Sequence, residues 1–150
     1  IMAMGIVFNL LNGMMQAGGL FYFAPEGLYA DGWAYLLKPH ALLGIILFFA
    51  GMFVNLHSDY VIRHLRRPGD TKHYLPGKGL YRYVTSANYF GELVEWTGFA
   101  ILTASPAAWV FVWWTFANLV PRADAIHRRY REEFGDEVVG KRKRIIPFLY

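Results

Sequence analysis

The chain has 150 residues, of which 55% are hydrophobic, 18% aromatic and only 17% charged, well short of the roughly 25% charge of an ordinary soluble domain. Abundant Trp, Tyr and Phe with little charge exclude disorder, and the absence of cysteine excludes a disulfide scaffold. The net charge of +4 falls between long apolar runs rather than on a soluble face, which argues against nucleic acid and for anionic headgroups or a phosphorylated ligand.

The chain opens at Ile1 inside an apolar run, with no basic stretch and no small-residue cleavage site, so it does not read as a signal peptide. The expectation is one compact domain over residues 1–150 that lacks its upstream part, without linker or internal repeat. Membrane helices need about 20 mainly apolar residues. Four candidates appear: Met2 to Phe23, Ala41 to Leu56, Val84 to Thr103 and Pro106 to Val120. The second and fourth are short, with aromatic ends able to extend them. Ser105-Pro106 stops one helix and starts the next, so the last two should form a tight hairpin. The predicted fold is an all-α polytopic membrane bundle with four spanning segments.

Fourteen of the fifteen Lys and Arg lie in two stretches, Asp59 to Arg82 and Arg122 to Arg144, and only Lys38 lies elsewhere. Four spans put those two stretches on one side and the loop from Ala24 to His40 on the other. The positive-inside rule makes the basic side, and with it the C-terminus, cytoplasmic, in a bacterial inner membrane or the endoplasmic reticulum.

Polar side chains at membrane depth are costly and by default face a cavity or a partner. Asn9, Asn12 and Gln16 interrupt the first segment, with Asn12 and Gln16 four apart on one face; interhelical hydrogen bonding accounts for them as well as a ligand does. Asn55, Asp59, Arg63 and Arg66 or Arg67 progress by three or four and form a stripe of amide, carboxylate and guanidinium groups. Such a stripe suits a ligand with amide, hydroxyl and phosphate parts, because guanidinium makes paired, charge-assisted bonds to phosphate. Lipid phosphates are the competing partner for the arginines alone. Asn88, Glu92 and Glu95-Trp96 share a face of the third segment. Those carboxylates fit a pair to Arg122, an interfacial cap or ligand contacts.

The tail carries Arg122, His127 and Tyr130 on a helical run, then a basic cluster from Lys141 to Arg144 and an apolar end, Ile145 to Tyr150, that reads as docked. The five histidines are scattered and show no metal-ligand spacing; there is no Walker loop and no GxGxxG after a strand. No metal is expected, and a nucleotide would be held without a Rossmann or P-loop domain.

These residues resemble the membrane steroid 5-alpha-reductases (3-oxo-5-alpha-steroid 4-dehydrogenases). The resemblance lies in Asn55-Leu56-His57-Ser58-Asp59, Leu65-Arg66-Arg67-Pro68-Gly69-Asp70, the run from Gly79 to Glu92 with Asn88-Tyr89-Phe90-Gly91, Glu95-Trp96, the closing Ile146-Pro147-Phe148, and Asn12-Gly13 with Gln16. It implies a seven-helix enzyme, of which this chain is the C-terminal part with the last four helices, that uses NADPH to reduce the C4-C5 double bond of a 3-oxo-4-ene steroid. The implied cofactor residues are Asn55, Asp59, Arg63, Arg66, Asn88, Glu92, Arg122, Tyr130 and, through a one-residue gap, Arg142. Trp96 would lie between cofactor and steroid. The family's carbonyl-polarising glutamate and tyrosine have no counterpart here, so no catalytic residue is assigned and the chain alone is expected to bind cofactor poorly. Tyr74 and Ile126 stand where family members can carry an arginine and a histidine. Other readings are reduction of a polyprenol, an enoyl thioester or another sterol, methyl transfer as in isoprenylcysteine methyltransferases, and a non-enzymatic module for lipid headgroups.

Overall fold

A computed structural model describes residues 2–66 and 69–150, without the side chains of Met2 and Met4. Arg67 and Pro68, which the sequence places in the basic cluster and the Arg-Pro-Gly-Asp run, lie outside the described residues. The fold is all-α: α1 (Met2–Phe21), α2 (Pro39–Arg63), α3 (Ala87–Thr103), α4 (Pro106–Phe134) and a single turn α5 (Asp136–Val139), with 3-10 turns at Gly32–Leu37 and Gly79–Arg82. Among the described residues α2 is the one helix long and apolar enough to cross a membrane, with a mean hydropathy of 1.9 over its best window. Asn9, Asn12 and Gln16 dilute α1, α3 is only 17 residues long and carries two carboxylates, and α4 turns basic beyond Pro121.

Two boundaries differ from expectation. α2 runs from Pro39 to Arg63 rather than from Ala41 to Leu56, with Pro39 at its first turn, where a missing N–H costs nothing. The stripe through Asn55, Asp59 and Arg63 is therefore helical, but the helix ends at Arg63 and Arg66 lies beyond it. α3 begins at Ala87 rather than Val84, because Val84 to Ser86 pair with the tail: Thr85 N–H donates to Lys143 O (2.9 Å), Ser86 N–H to Arg144 O (3.0 Å) and Lys143 N–H to Tyr83 O (2.8 Å). The expected hairpin is present. Ala104 adopts a left-handed conformation (φ 49°), Ser105 is extended, and Pro106 opens α4.

The helices are neighbours in the order α2, α3, α4, α1. The tightest contact rests on two glycine pairs at heptad spacing, Gly44 and Gly51 on α2 against Gly98 and Gly91 on antiparallel α3. A Cβ at Gly44 would lie 2.5 Å from Leu102 N and 2.8 Å from Gly98 O, and one at Gly91 would lie 2.5 Å from Asn55 N and 2.8 Å from Gly51 O. Small residues let helix backbones approach this closely. At the far end of α3, Tyr29 OH donates to Thr103 O (2.5 Å) and Tyr35 OH to Leu102 O (2.8 Å), satisfying carbonyls that a helix terminus leaves without partners. α1 packs on α4 through Phe8, stacked on Trp114 at 5.7 Å, and through Gln16, whose amide donates to Ala107 O (3.2 Å) and to Asn12 Oδ1 (3.3 Å). Gln16 thus bonds across to α4, whereas among the described residues Asn12 is met only from within α1.

The apolar C-terminus is docked at Ile145, while Phe148 and Leu149, expected to dock with it, are exposed. Ile145 is fully buried, Arg144 bonds Asp124 at 2.5 Å and stacks over Tyr150, and buried His127 meets Thr85 Oγ1 at 3.3 Å. Burial, then the charges of Arg144 and Arg131, lower the His127 pKa against the weaker opposite pull of Asp124 and Asp136. A histidine with its pKa depressed on folding stabilises the folded state above the ordinary histidine range, and that contribution is lost as pH falls through about 6.5. Asp124, held low chiefly by Arg144, responds only at much more acidic pH. Lowering the pH from about 7.5 to 5.5 is expected to lower the protection factors (exchange corrected for the intrinsic rate at each pH) of the Thr85, Ser86 and Lys143 amides. His127→Gln should flatten that dependence.

Candidate functional site

The glycine contact sets the site, because it brings the polar ends of α2 and α3 within hydrogen-bonding range. Asn88, in the first turn of α3, donates its amide to Asp59 Oδ1 on α2 at 3.4 Å. Tyr81, 1% exposed beneath them, donates its hydroxyl to Asn88 Oδ1 at 3.3 Å. Burial drives the Tyr81 pKa far up, so this hydroxyl stays a donor and fixes which way the Asn88 amide points. One turn along, the Asn55 side chain faces the Glu95 carboxylate. Arg63 approaches Asp59 at 3.8 Å with its side chain 78% exposed, a geometry that contributes little by itself.

Glu92 continues the α3 stripe towards α4 and lies within electrostatic reach of Arg122, Glu95 and Asp59. Glu92, Thr115, Asn118 and Arg122 form the polar part of a cavity of about 630 Å³ between α1, α3 and α4, whose apolar wall includes Phe8, Leu11, Phe111 and Trp114. This volume is within the range of small-molecule and cofactor pockets, and a mostly apolar lining with a few convergent polar groups is their usual chemistry. Trp96 stands behind that wall, edge-on to Phe111 with ring centroids 4.5 Å apart.

Past the end of α2, two crevices share Arg66, Tyr74 and Tyr130. One, of about 350 Å³, also takes in Arg63, and the other, of about 190 Å³, takes in His73, Ile126, Arg129 and Glu133. His73 Nδ1 meets Glu133 Oε1 at 2.7 Å, which ties the loop after Gly69 to α4. In the same loop Asp70 accepts the Lys72 N–H (2.9 Å) and the Tyr74 hydroxyl (2.7 Å). Tyr74 and Ile126 line the same crevice.

Of the residues singled out from sequence, the fold brings together Asn55, Asp59 and Asn88 at the α2–α3 contact, Glu92 and Arg122 at the cavity, and Arg63, Arg66 and Tyr130 at the crevices. Arg142 is apart: its guanidinium donates to Pro76 O at 2.9 Å and lines a different hollow. Tyr81 was missed by sequence reasoning. Its signal was its place in the Gly79 to Glu92 run, seven residues before Asn88, and nothing local says that it is buried.

The family model described as 3-oxo-5-alpha-steroid 4-dehydrogenase matches residues 1–150. The chain is 44% identical over 147 residues to a 3-oxo-5-alpha-steroid 4-dehydrogenase 1 of Macaca fascicularis, covering 98% of this chain and 54% of the relative. It is 40% identical over 146 residues to the human 3-oxo-5-alpha-steroid 4-dehydrogenase 2, covering 97% of this chain and 55% of the relative. A steroid 5-alpha-reductase of Gossypium hirsutum is 39% identical over 147 residues, covering 98% and 55%. The chain thus spans about half the length of the curated relatives it matches.

Proposed function

Because the chain belongs to the 3-oxo-5-alpha-steroid 4-dehydrogenase family, we propose that it forms the cofactor-binding part of an NADPH-dependent membrane reductase acting on the C4-C5 double bond of a 3-oxo-4-ene steroid. The observation that carries this reading is the continuity of the polar stripes at the α2–α3 contact with an apolar cavity at one end and arginine-rich crevices at the other. A dinucleotide needs amide and hydroxyl partners, phosphate partners and a dry place for its reactive ring, and the chemistry of the donor set fits it.

Asn88, held by Tyr81 and Asp59, and Asn55 would fix a carboxamide or a ribose. Arg63 and Arg66 would neutralise phosphates with charge-assisted bonds, and Tyr130 would close the crevice beside them. Glu92 would orient a ribose hydroxyl or hold Arg122, which leaves Arg122 poised at the cavity. Arg142 would join the phosphate-binding set with the donors left after its bond to Pro76. Trp96, packed on Phe111, would stiffen the wall between cofactor and steroid. When bound, the cofactor supplies a hydride to the β-carbon of the enone, and a proton follows at the α-carbon. The chain's own work is to orient the reacting faces and exclude water.

The membrane reading rests on α2 together with the broad exposed apolar surface of the other helices, including Ile6, Leu10 and Met14 on α1 and Trp113 on α4, far more than a soluble monomer exposes. Four spans with the basic ends cytoplasmic account for it.

The substrate is tested by incubating the protein with NADPH and a lipid panel, an upstream three-helix segment of a family member being supplied in trans, and following a two-hydrogen mass gain. Steroid 3-oxo-4-enes should gain two hydrogens. Gain by a polyprenol, an enoyl thioester or another sterol alone would replace the substrate, and methyl gain from a methyl donor would replace the reaction.

A further inference from the structure

We propose that the hollow between the Gly79–Arg82 turn and the tail binds the phosphate headgroup of an anionic membrane phospholipid. The proposal rests on the membrane reading above but not on the identity of the substrate. The hollow has a volume of about 520 Å³ and is lined by four cations, Arg82, Lys141, Arg142 and Lys143, with no carboxylate among its lining residues. Among the described residues none of the four takes part in an ion pair, whereas their neighbours Arg131 and Arg144 are matched by Asp136 and Asp124.

Two of these cations are held in place. The backbone of Lys143 is pinned on both sides, its N–H by Tyr83 O and its carbonyl by Thr85 N–H. Arg142 is anchored through Pro76 O, and since its remaining donors are assigned to the cofactor above, the headgroup is assigned to Arg82, Lys141 and Lys143. Four like charges gathered in one hollow repel one another, and an anion seated among them relieves that repulsion.

A soluble anion would leave the rest of the hollow unexplained. Tyr83, Val138 and Phe148 also line it, beside Gly140 and buried Val139, while 45%, 58% and 77% exposed, and Leu149 is 77% exposed. Phe148 sits at φ 66°, a conformation that costs a non-glycine residue and persists where surrounding structure or function holds it. Cations beside exposed aromatic and aliphatic groups suit a lipid at the interface, its phosphate among the cations and its first methylenes on the rings. The position agrees, since Thr85 and Ser86, which pair with this tail, immediately precede α3. The hollow shares no lining residue with the crevices around Arg66 or with the cavity of Glu92 and Arg122.

The test titrates the purified protein in mild detergent with phosphatidylglycerol, phosphatidylcholine, inorganic phosphate and NADPH, reading bound lipid by native mass spectrometry and the thermal midpoint. Phosphatidylglycerol should bind and raise the midpoint, phosphatidylcholine should not, and the triple variant Arg82→Gln/Lys141→Gln/Lys143→Gln should weaken the lipid at least tenfold with NADPH affinity unchanged. Phe148→Ser, which keeps every charge, should also weaken the lipid and keeps the test open if the triple variant does not fold. Equal binding of both lipids, undiminished lipid binding by the variants, or inorganic phosphate as effective as phosphatidylglycerol would overturn the proposal. So would loss of NADPH affinity in the triple variant, which would assign the hollow to the nucleotide. Release of the protein from membranes by alkaline carbonate would instead remove the membrane reading itself.

Discussion

Gly51→Leu is expected to destabilise the fold by about 3 kcal/mol or more, at the upper end of what overpacking a well-packed contact costs. A Cβ there meets the backbone of Glu95 and lies 2.7 Å from Gly91 O, so no side chain can rotate away and the helices must separate. Separation also moves Asn55 from Glu95 and Asp59 from Asn88, so nucleotide binding should fall with the melting temperature. Gly5→Leu is the control: a Cβ at Gly5 meets nothing within 4 Å, and its melting temperature in the same detergent should stay near that of the parent.

Asn88→Ala is expected to weaken NADPH binding roughly tenfold to a hundredfold. The loss of one or two hydrogen bonds in a partly buried site is worth about 1 to 3 kcal/mol, and 1.4 kcal/mol is a factor of ten. The variant also leaves the buried Tyr81 hydroxyl without its acceptor, so Tyr81→Phe/Asn88→Ala should be more stable than Asn88→Ala alone while binding NADPH no better. Equilibrium titration against thermal unfolding separates the two effects. A purely structural Asn88 would change the melting temperature and leave the affinity alone.

Much of this arrangement was legible in the sequence, and what was not has identifiable causes. Apolar runs and Ser105-Pro106 locate the helices and the hairpin because burial and proline stereochemistry are local signals. The spacing of Asn55, Asp59, Asn88 and Glu92 places each on its stripe, but not on facing stripes. That facing depends on Gly44, Gly51, Gly91 and Gly98, which have no side chain and so leave no trace in a hydrophobic pattern. The late start of α3 was hidden for a related reason: Val84 reads as helix, and its pairing with Lys143 comes from nearly 60 residues away. Arg66 extends the stripe on paper, yet the chain leaves the helix at Arg63, so Arg66 reaches Tyr130 across a crevice instead of following Asp59. Arg142 matches the cofactor set by resemblance, whereas the fold places it on the Pro76 carbonyl in a separate hollow.

The central claim is that the α2–α3 polar contact and the arginine crevices beside it form a site for NADPH. It is tested most directly by titrating the protein, with the upstream helices of a family member in trans, with NADPH and NADH and following energy transfer from Trp96 and its neighbours to the nicotinamide. Tighter binding of NADPH by at least tenfold, reduced towards the NADH value by Arg63→Ala/Arg66→Ala, is the expected result. Equal affinity for the two nucleotides, or a preference that survives loss of both arginines, would contradict the account.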